Sequence, residues 1–180
     1  MLERVSRGHE IVHVEGKINP QQDIETILLE LIMTDLEQVS KRIDGLSGKA
    51  RTGETDSAKR LSVYEKIFAA LNTGERADSI ALSAEELILT RELKLLTQKP
   101  MLYIVNVSEQ EQGIQTGELL TKLGLSIPEK NVLPLNIQLE AELIDLPSEE
   151  AAEYLQAVGL TETGLNKFIR CSYVLLNLVS

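Results

Sequence analysis

The chain has 180 residues, of which 43% are apolar and 26% charged, and a net charge of −10 at neutral pH. That length can bury a substantial core and favours one globular body with an appendage. The acidic balance argues against a protein that coats nucleic acid or anionic membrane through its overall field, and no apolar run approaches the roughly 20 residues of a membrane span, so the sequence reads as that of a soluble protein.

Met1-Leu2-Glu3-Arg4 has no apolar core behind a basic start, so no secretory or targeting presequence is visible and the cytoplasm is the default location. Glu10-Ile11-Val12-His13-Val14 is short and β-branched and is followed by Gly16, which predicts a strand ending at a turn. Asn19-Pro20 then offers an N-cap and a first-turn proline, with Asp23 placed at the positive end of a helix. Leu29, Ile32, Leu36, Val39, Ile43 and Leu46 recur at spacings of 3, 4, 3, 4 and 3, a heptad seam. The seam is expected to stop at Gly45 to Gly48, with Ser47 to Gly53 as a flexible tip. Leu61, Tyr64, Phe68 and Leu71 repeat 3, 4, 3 before Gly74. Two seams joined by a polar loop predict an antiparallel, coiled-coil helical hairpin.

Ser83-Ala84-Glu85-Glu86 is a capping box that predicts a third helix running to about Gln98, closed by Pro100. Met101 to Val105 is an apolar run too short for a helix and reads as a strand buried on both faces of a parallel sheet. Val132 to Ile137 is a weaker strand, because Pro134 removes a ladder donor and suits a strand start or an edge. Helices are expected at Gly117 to Leu123, Ser148 to Ala157 and Leu165 to Asn177. Alternating strand and helix imply an α/β sheet, interrupted by the hairpin as an insertion.

Parallel sheets bind ligands beyond the carboxyl ends of their strands, and Asn106-Val107-Ser108-Glu109 lies just past the run ending at Val105. An Asn there can donate to a purine ring nitrogen and bond neighbouring loops, and an acid three residues later can accept from a base. By itself Asn-x-x-Glu is weak, and a turn with a solvated acid is the favoured reading of those residues alone. His9 and His13 are the two histidines and have no partners at a usual zinc spacing. The lone Cys171 sits among Ile169, Val174 and Leu175 and reads as a buried, inert thiol. The window Lys41 to Lys66 is net +3, leaving −13 elsewhere.

Three stretches taken together, Glu10 to Pro20, Asp23 to Ile27 and Lys99 to Glu109, resemble the Obg-like ATPases of the YchF type, a branch of the P-loop NTPases. Gly164-Leu165-Asn166-Lys167-Phe168-Ile169-Arg170 with Leu175 to Leu178 resembles the end of the same nucleotide-binding domain. The resemblance implies that Asn106, Val107 and Glu109 form the base-reading loop that related GTPases write as Asn-Lys-x-Asp. Glu109 is one methylene longer than Asp and would miss guanine's bidentate site, so adenine becomes the expected base. The second base-contact loop would fall at Asn136 and Ile137, where relatives usually carry small residues, which implies weaker base affinity. Glu140 and Glu142 read as solvated acids near a helix start.

The phosphate-holding loop Gly-x-x-x-x-Gly-Lys-Ser/Thr does not occur in the sequence, and Gly113 to Leu119 has two glycines without the Lys-Thr. The resemblance places that loop and the Mg2+ ligands ahead of Met1 and a β-rich domain after Ser180, so the chain is expected to be inactive alone. The fold expected is α/β, a partial P-loop GTPase-like parallel sheet with an inserted helical hairpin, divided as residues 1–22, 23–80 and 81–180. The implied function is a share in an ATP-binding (alternatively GTP-binding) and hydrolysing, ribosome-contacting protein, to which the chain lends purine recognition and an arm. On the arm, Lys41, Arg42, Lys49, Arg51, Lys59 and Arg60 read as solvated charges, with ribosome or RNA phosphate contact as the alternative the resemblance supports. A non-catalytic module binding RNA or protein through the hairpin is the competing reading, and exposed sheet edges make self-association a further expectation.

Overall fold

The structure, a computed structural model, describes residues 3–4, 19–51 and 55–178, with backbone alone at 3–4 and 49–51. The strand expected at residues 10–14, both histidines and the last two residues of the expected tip, Thr52 and Gly53, lie outside the described residues, whereas Ser47 to Arg51 are helical rather than a flexible loop. By contacts the chain forms two compact units, Gln22–Pro100 and Met1–Gln21 with Met101–Ser180.

The helical unit is built on α1 (Pro20–Arg51) and α2 (Thr55–Asn72). Proline opens α1 and Asp23 lies in its first turn, as expected. The two helices share one hydrophobic cluster, to which α1 gives Ile32 and Val39 and α2 gives Val63, Tyr64, Ile67 and Leu71, all buried. Leu36, Ile43, Leu46 and Phe68 pack against it. Leu29 is not part of the seam, being 53% exposed, while Val63 and Ile67 join a buried stripe on α2 broader than the heptad spacing indicates. α1 continues through Gly45 and Gly48 rather than stopping there. Each glycine costs a helix roughly 1 kcal/mol, and Ile43 and Leu46, packed on the cluster, hold the helix through them.

The capping box at Ser83 forms as read, with Glu86 N donating to Ser83 Oγ at 3.2 Å and Ser83 N to Glu86 Oε2 at 2.7 Å. The helix it starts, α3 (Ala84–Thr90), is shorter than expected and passes through a 3-10 turn at Arg91–Leu93 to a left-handed Lys94 (φ 49°). Leu93 and Leu95 are both buried, and two residues apart they would face opposite sides of a helix. The backbone N–H groups of Leu96 and Thr97 go instead to the carboxylate of Asp35 on α1, each at 2.8 Å. Residues 81–100, grouped by the sequence with the segment that follows, thus lie in the helical unit, where Leu82, Leu89, Leu93 and Leu95 join its cluster.

In the other unit β1 (Glu3–Arg4), β2 (Tyr103–Asn106) and β3 (Val132–Leu135) form a parallel sheet in the order β1-β2-β3. Val105 pairs with Glu3 on one side and Pro134 on the other, so among the described strands Pro134 stands on the edge of the sheet, where its missing donor costs least. β2 is less enclosed than a strand buried on both faces, since Tyr103 and Ile104 are half-buried. Around the sheet run α4 (Thr116–Leu123), α5 (Ile137–Ile144), α6 (Ser148–Ala157) and α7 (Gly164–Leu175). β3 ends two residues earlier than expected because Asn136 turns its side chain to cap α5, its Oδ1 accepting from Leu139 N at 3.1 Å. Cys171 on α7 is half-buried rather than enclosed.

Candidate functional site

β2 and β3 are parallel and end level with one another at Asn106 and Leu135, so the loops after them leave the same edge of the sheet. The ladder runs one step further, with Val107 N donating to Leu135 O at 3.0 Å. Asn106 is 7% exposed, and its Oδ1 accepts from Ile137 N at 3.1 Å. One buried amide therefore ties the first loop to the second, and with its oxygen so engaged its NH2 remains as a donor. The carboxyl edge is thereby braced before any ligand arrives.

Beyond Asn106 the chain makes a 3-10 turn at Glu109–Glu111. Ser108 caps it by donating from N and Oγ to Glu111 Oε2 at 3.2 and 2.9 Å. Lys122 of α4 binds the other oxygen of the same carboxylate. That ammonium, ahead of the Ser108 hydrogen bonds, holds the Glu111 carboxyl below its usual value. Glu111, which motif reading passes over, fixes the turn; Glu109 within it is exposed.

A cavity of about 160 Å³ opens against this loop, lined by Asn106 to Glu109, by Asn136 of the second loop, by Gln138 and Glu142 of α5, and by Tyr154 of α6. Val107 contributes a wall but is only 6% exposed, most of its surface lying in the core. Asn136 lines the cavity while capping α5. Ile137 is not on its wall, and its N–H is spent on Asn106. Asn106 to Glu109 and Asn136 are therefore brought together on one cavity, whereas Ile137 stands behind them as a brace.

The two acids of α5 differ. Glu142 is exposed, as expected, and accepts from Gln138 Nε2 at 3.1 Å and from the Tyr154 hydroxyl at 3.2 Å. That hydrogen bond to Glu142, then the nearby charge of Glu142 itself, raises the Tyr154 pKa. Glu140 is not a solvated acid: it is half-buried and accepts from Gly164 N at 2.6 Å and Leu165 N at 3.1 Å, capping the first turn of α7. No local pattern marks that contact, since its partners lie 24 and 25 residues away. Tyr154 is equally hidden, since nothing local to α6 marks it as facing Glu142.

Among the basic residues of α1 and α2, Lys41 pairs with Glu37 at 2.6 Å and Arg60 with Glu92 at 2.7 Å. Glu92 also takes the Tyr64 hydroxyl, and burial, with that carboxylate, pushes the Tyr64 pKa up to about 12. Arg42 and Lys59 are exposed. The side chains of Lys49 and Arg51 lie outside the described ones. Among the described residues no group of three or more His, Cys, Asp or Glu could hold a metal ion, and no helix is long and apolar enough to cross a membrane.

No family model matches the sequence. The ribosome-binding ATPase YchF of Haemophilus ducreyi is 37% identical over 177 residues, 97% of this chain and 48% of that protein. The protein of the same name from Bacillus subtilis is 37% identical over 173 residues, 94% of this chain and 47% of its own length. Among solved structures, the YchF GTPase of Schizosaccharomyces pombe superposes with a TM-score of 0.76 at 30% identity, over 93% of this chain and 47% of that one. These likenesses place the fold with the P-loop nucleoside triphosphatases. Along almost all of its length the chain is similar to the YchF proteins, and it spans about half the length of the curated relatives it matches.

Proposed function

We propose that this chain supplies the base-recognition end of a nucleoside-triphosphate-hydrolysing protein, reading adenine in preference to guanine, and an arm that meets the ribosome. The observation that carries the reading is the cavity at the carboxyl edge of β2 and β3, where Asn106 offers a donor and Glu109 an acceptor on one braced loop. The relatives' names, ribosome-binding ATPase and GTPase, support the substrate class and the partner. Hydrolysis and Mg2+ binding call for a Gly-x-x-x-x-Gly-Lys-Ser/Thr loop, which this sequence does not contain, so its proposed share is recognition rather than chemistry.

Glu109 sets the base preference in this reading. Titrating the chain with adenosine and with guanosine, followed by amide chemical shifts, is expected to show tighter adenosine binding. Glu109→Asp, which restores the shorter acid, moves the affinity ratio toward guanosine by about tenfold, the scale of one charge-assisted hydrogen bond. Tighter guanosine binding by the unaltered chain would contradict the assignment.

The arm is testable separately. Arg42 and Lys59 are exposed, and Arg42 stands close enough to the Arg60–Glu92 pair for its charge to act on Glu92. Reversing both to Glu is expected to reduce co-sedimentation with ribosomes and to flatten its salt dependence, because phosphate contacts release counterions. Unchanged co-sedimentation across salt concentrations would refute a role for this face, whatever the base site does.

A further inference from the structure

One wall of the cavity comes from the loop after β2 and a second from Asn136 and the first turns of α5; the third comes from α6. It brings Tyr154, the one aromatic side chain among the described residues lining the cavity. Its hydroxyl donates to Glu142 Oε2 at 3.2 Å, and Glu142 Oε1 in turn accepts from Gln138 Nε2 at 3.1 Å. The ring is therefore held at its tip by α5 while the side chain keeps 37% of its surface exposed. At about 160 Å³ the cavity is well below the roughly 300 Å³ at which whole drug-sized ligands fit, which leaves room for one flat heterocycle.

Asn106 and Glu109 address the edge of such a ring, by donating and accepting hydrogen bonds. Its face needs a broad apolar or π surface; Val107 and Leu139 are too deeply buried to give one, and the half-buried Val158 offers a smaller surface than the Tyr154 ring. We propose that Tyr154 stacks on the face of the bound base, with Glu142 and Gln138 as the positioning residues that hold its ring. The proposal rests on the adenine reading above and deepens it. Holding the ring in place before binding reduces the side-chain entropy lost when the base arrives. Stacking tolerates any base because each has a π face, so Tyr154 contributes affinity, whereas Glu109 contributes preference.

The test titrates the full chain with adenosine and guanosine, and seeks nuclear Overhauser contacts between the adenosine base protons and the Tyr154 ring. Tyr154→Leu is expected to weaken both nucleosides about tenfold with their ratio unchanged, whereas Tyr154→Phe, which keeps the ring, stays within about threefold of the parent. Amide shifts outside the cavity report whether each variant is folded, and should Tyr154→Leu fail to fold, Tyr154→Phe and the parent's ring contacts decide. Parent-like affinity in Tyr154→Leu, a loss confined to one nucleoside, or absent ring contacts in a chain that binds adenosine would overturn the stacking role and leave the adenine reading standing. A parent chain whose Asn106 to Glu109 amides do not respond to adenosine would overturn both.

Discussion

Asp35→Ala is expected to lower the stability of the helical unit by about 3 kcal/mol or more. The carboxylate is 0% exposed and accepts from Leu96 N at 2.8 Å, Thr97 N at 2.8 Å and Thr97 Oγ1 at 2.7 Å. Thr97, itself 0% exposed, takes the backbone N–H of Ala77 on the same oxygen at 3.0 Å. One side chain on α1 thus satisfies the backbone where α3 has ended, and through Thr97 it orders the turn at residue 77. Alanine would strand two amides and a hydroxyl in the interior, each costing roughly 1–3 kcal/mol when left unpaired. Asp35→Asn, which keeps acceptor capacity on one oxygen, is expected to fall between. Urea unfolding followed by helical circular dichroism would show a lower midpoint with the slope retained; a change below about 0.5 kcal/mol, the range of ordinary surface substitutions, would mean that the network contributes little.

Gly164→Ala should destabilise the α/β unit by about 1–3 kcal/mol, the usual cost of overfilling a packed site. A Cβ at this position would stand 1.8 Å from Leu135 Cδ1 and 2.8 Å from Glu140 Oε1. Leu135 ends β3, and Glu140 caps α7 through the Gly164 and Leu165 amides. Admitting the methyl therefore requires the Leu135 side chain and the Glu140 carboxylate both to give way, which disturbs the packing of β3 on α7 and the cap of α7. Because the clash is with Leu135, combining Gly164→Ala with Leu135→Ala should cost less than the sum of the single changes. Strict additivity in thermal unfolding would show that the close approach does not limit this position.

What could be read from the residues followed the range of the interactions responsible. The helix at Ser148–Ala157, the capping box at Ser83 and the proline start of α1 depend on neighbours within one turn, and they stand where local chemistry puts them. The early end of α3 depends on Asp35, 61 residues from Leu96, and on the burial of both Leu93 and Leu95. No window of sequence contains that competition between helical carbonyls and a distant carboxylate. The persistence of α1 through two glycines is likewise a packing effect, set by what Ile43 and Leu46 meet.

The candidate site divides along the same line. Asn106 and Glu109 are visible as a motif, and their position past a short apolar run marks a sheet edge. The links between loops are not visible. Asn106 reaches Ile137 across 31 residues, Glu140 reaches α7, and Tyr154 arrives from a helix whose sequence is mostly polar. Motif spacing locates the edge that would read a base, while the brace behind it and the wall opposite are products of the fold.

Base reading at the end of β2 is the centre of this account, and amide chemical-shift mapping of the chain with adenosine and guanosine tests it most directly. The account predicts that adenosine perturbs Asn106 to Glu109 and Asn136 to Gln138 at lower concentration than guanosine, with α2 unaffected. Perturbations that bypass both loops, or that favour guanosine at them, would contradict it.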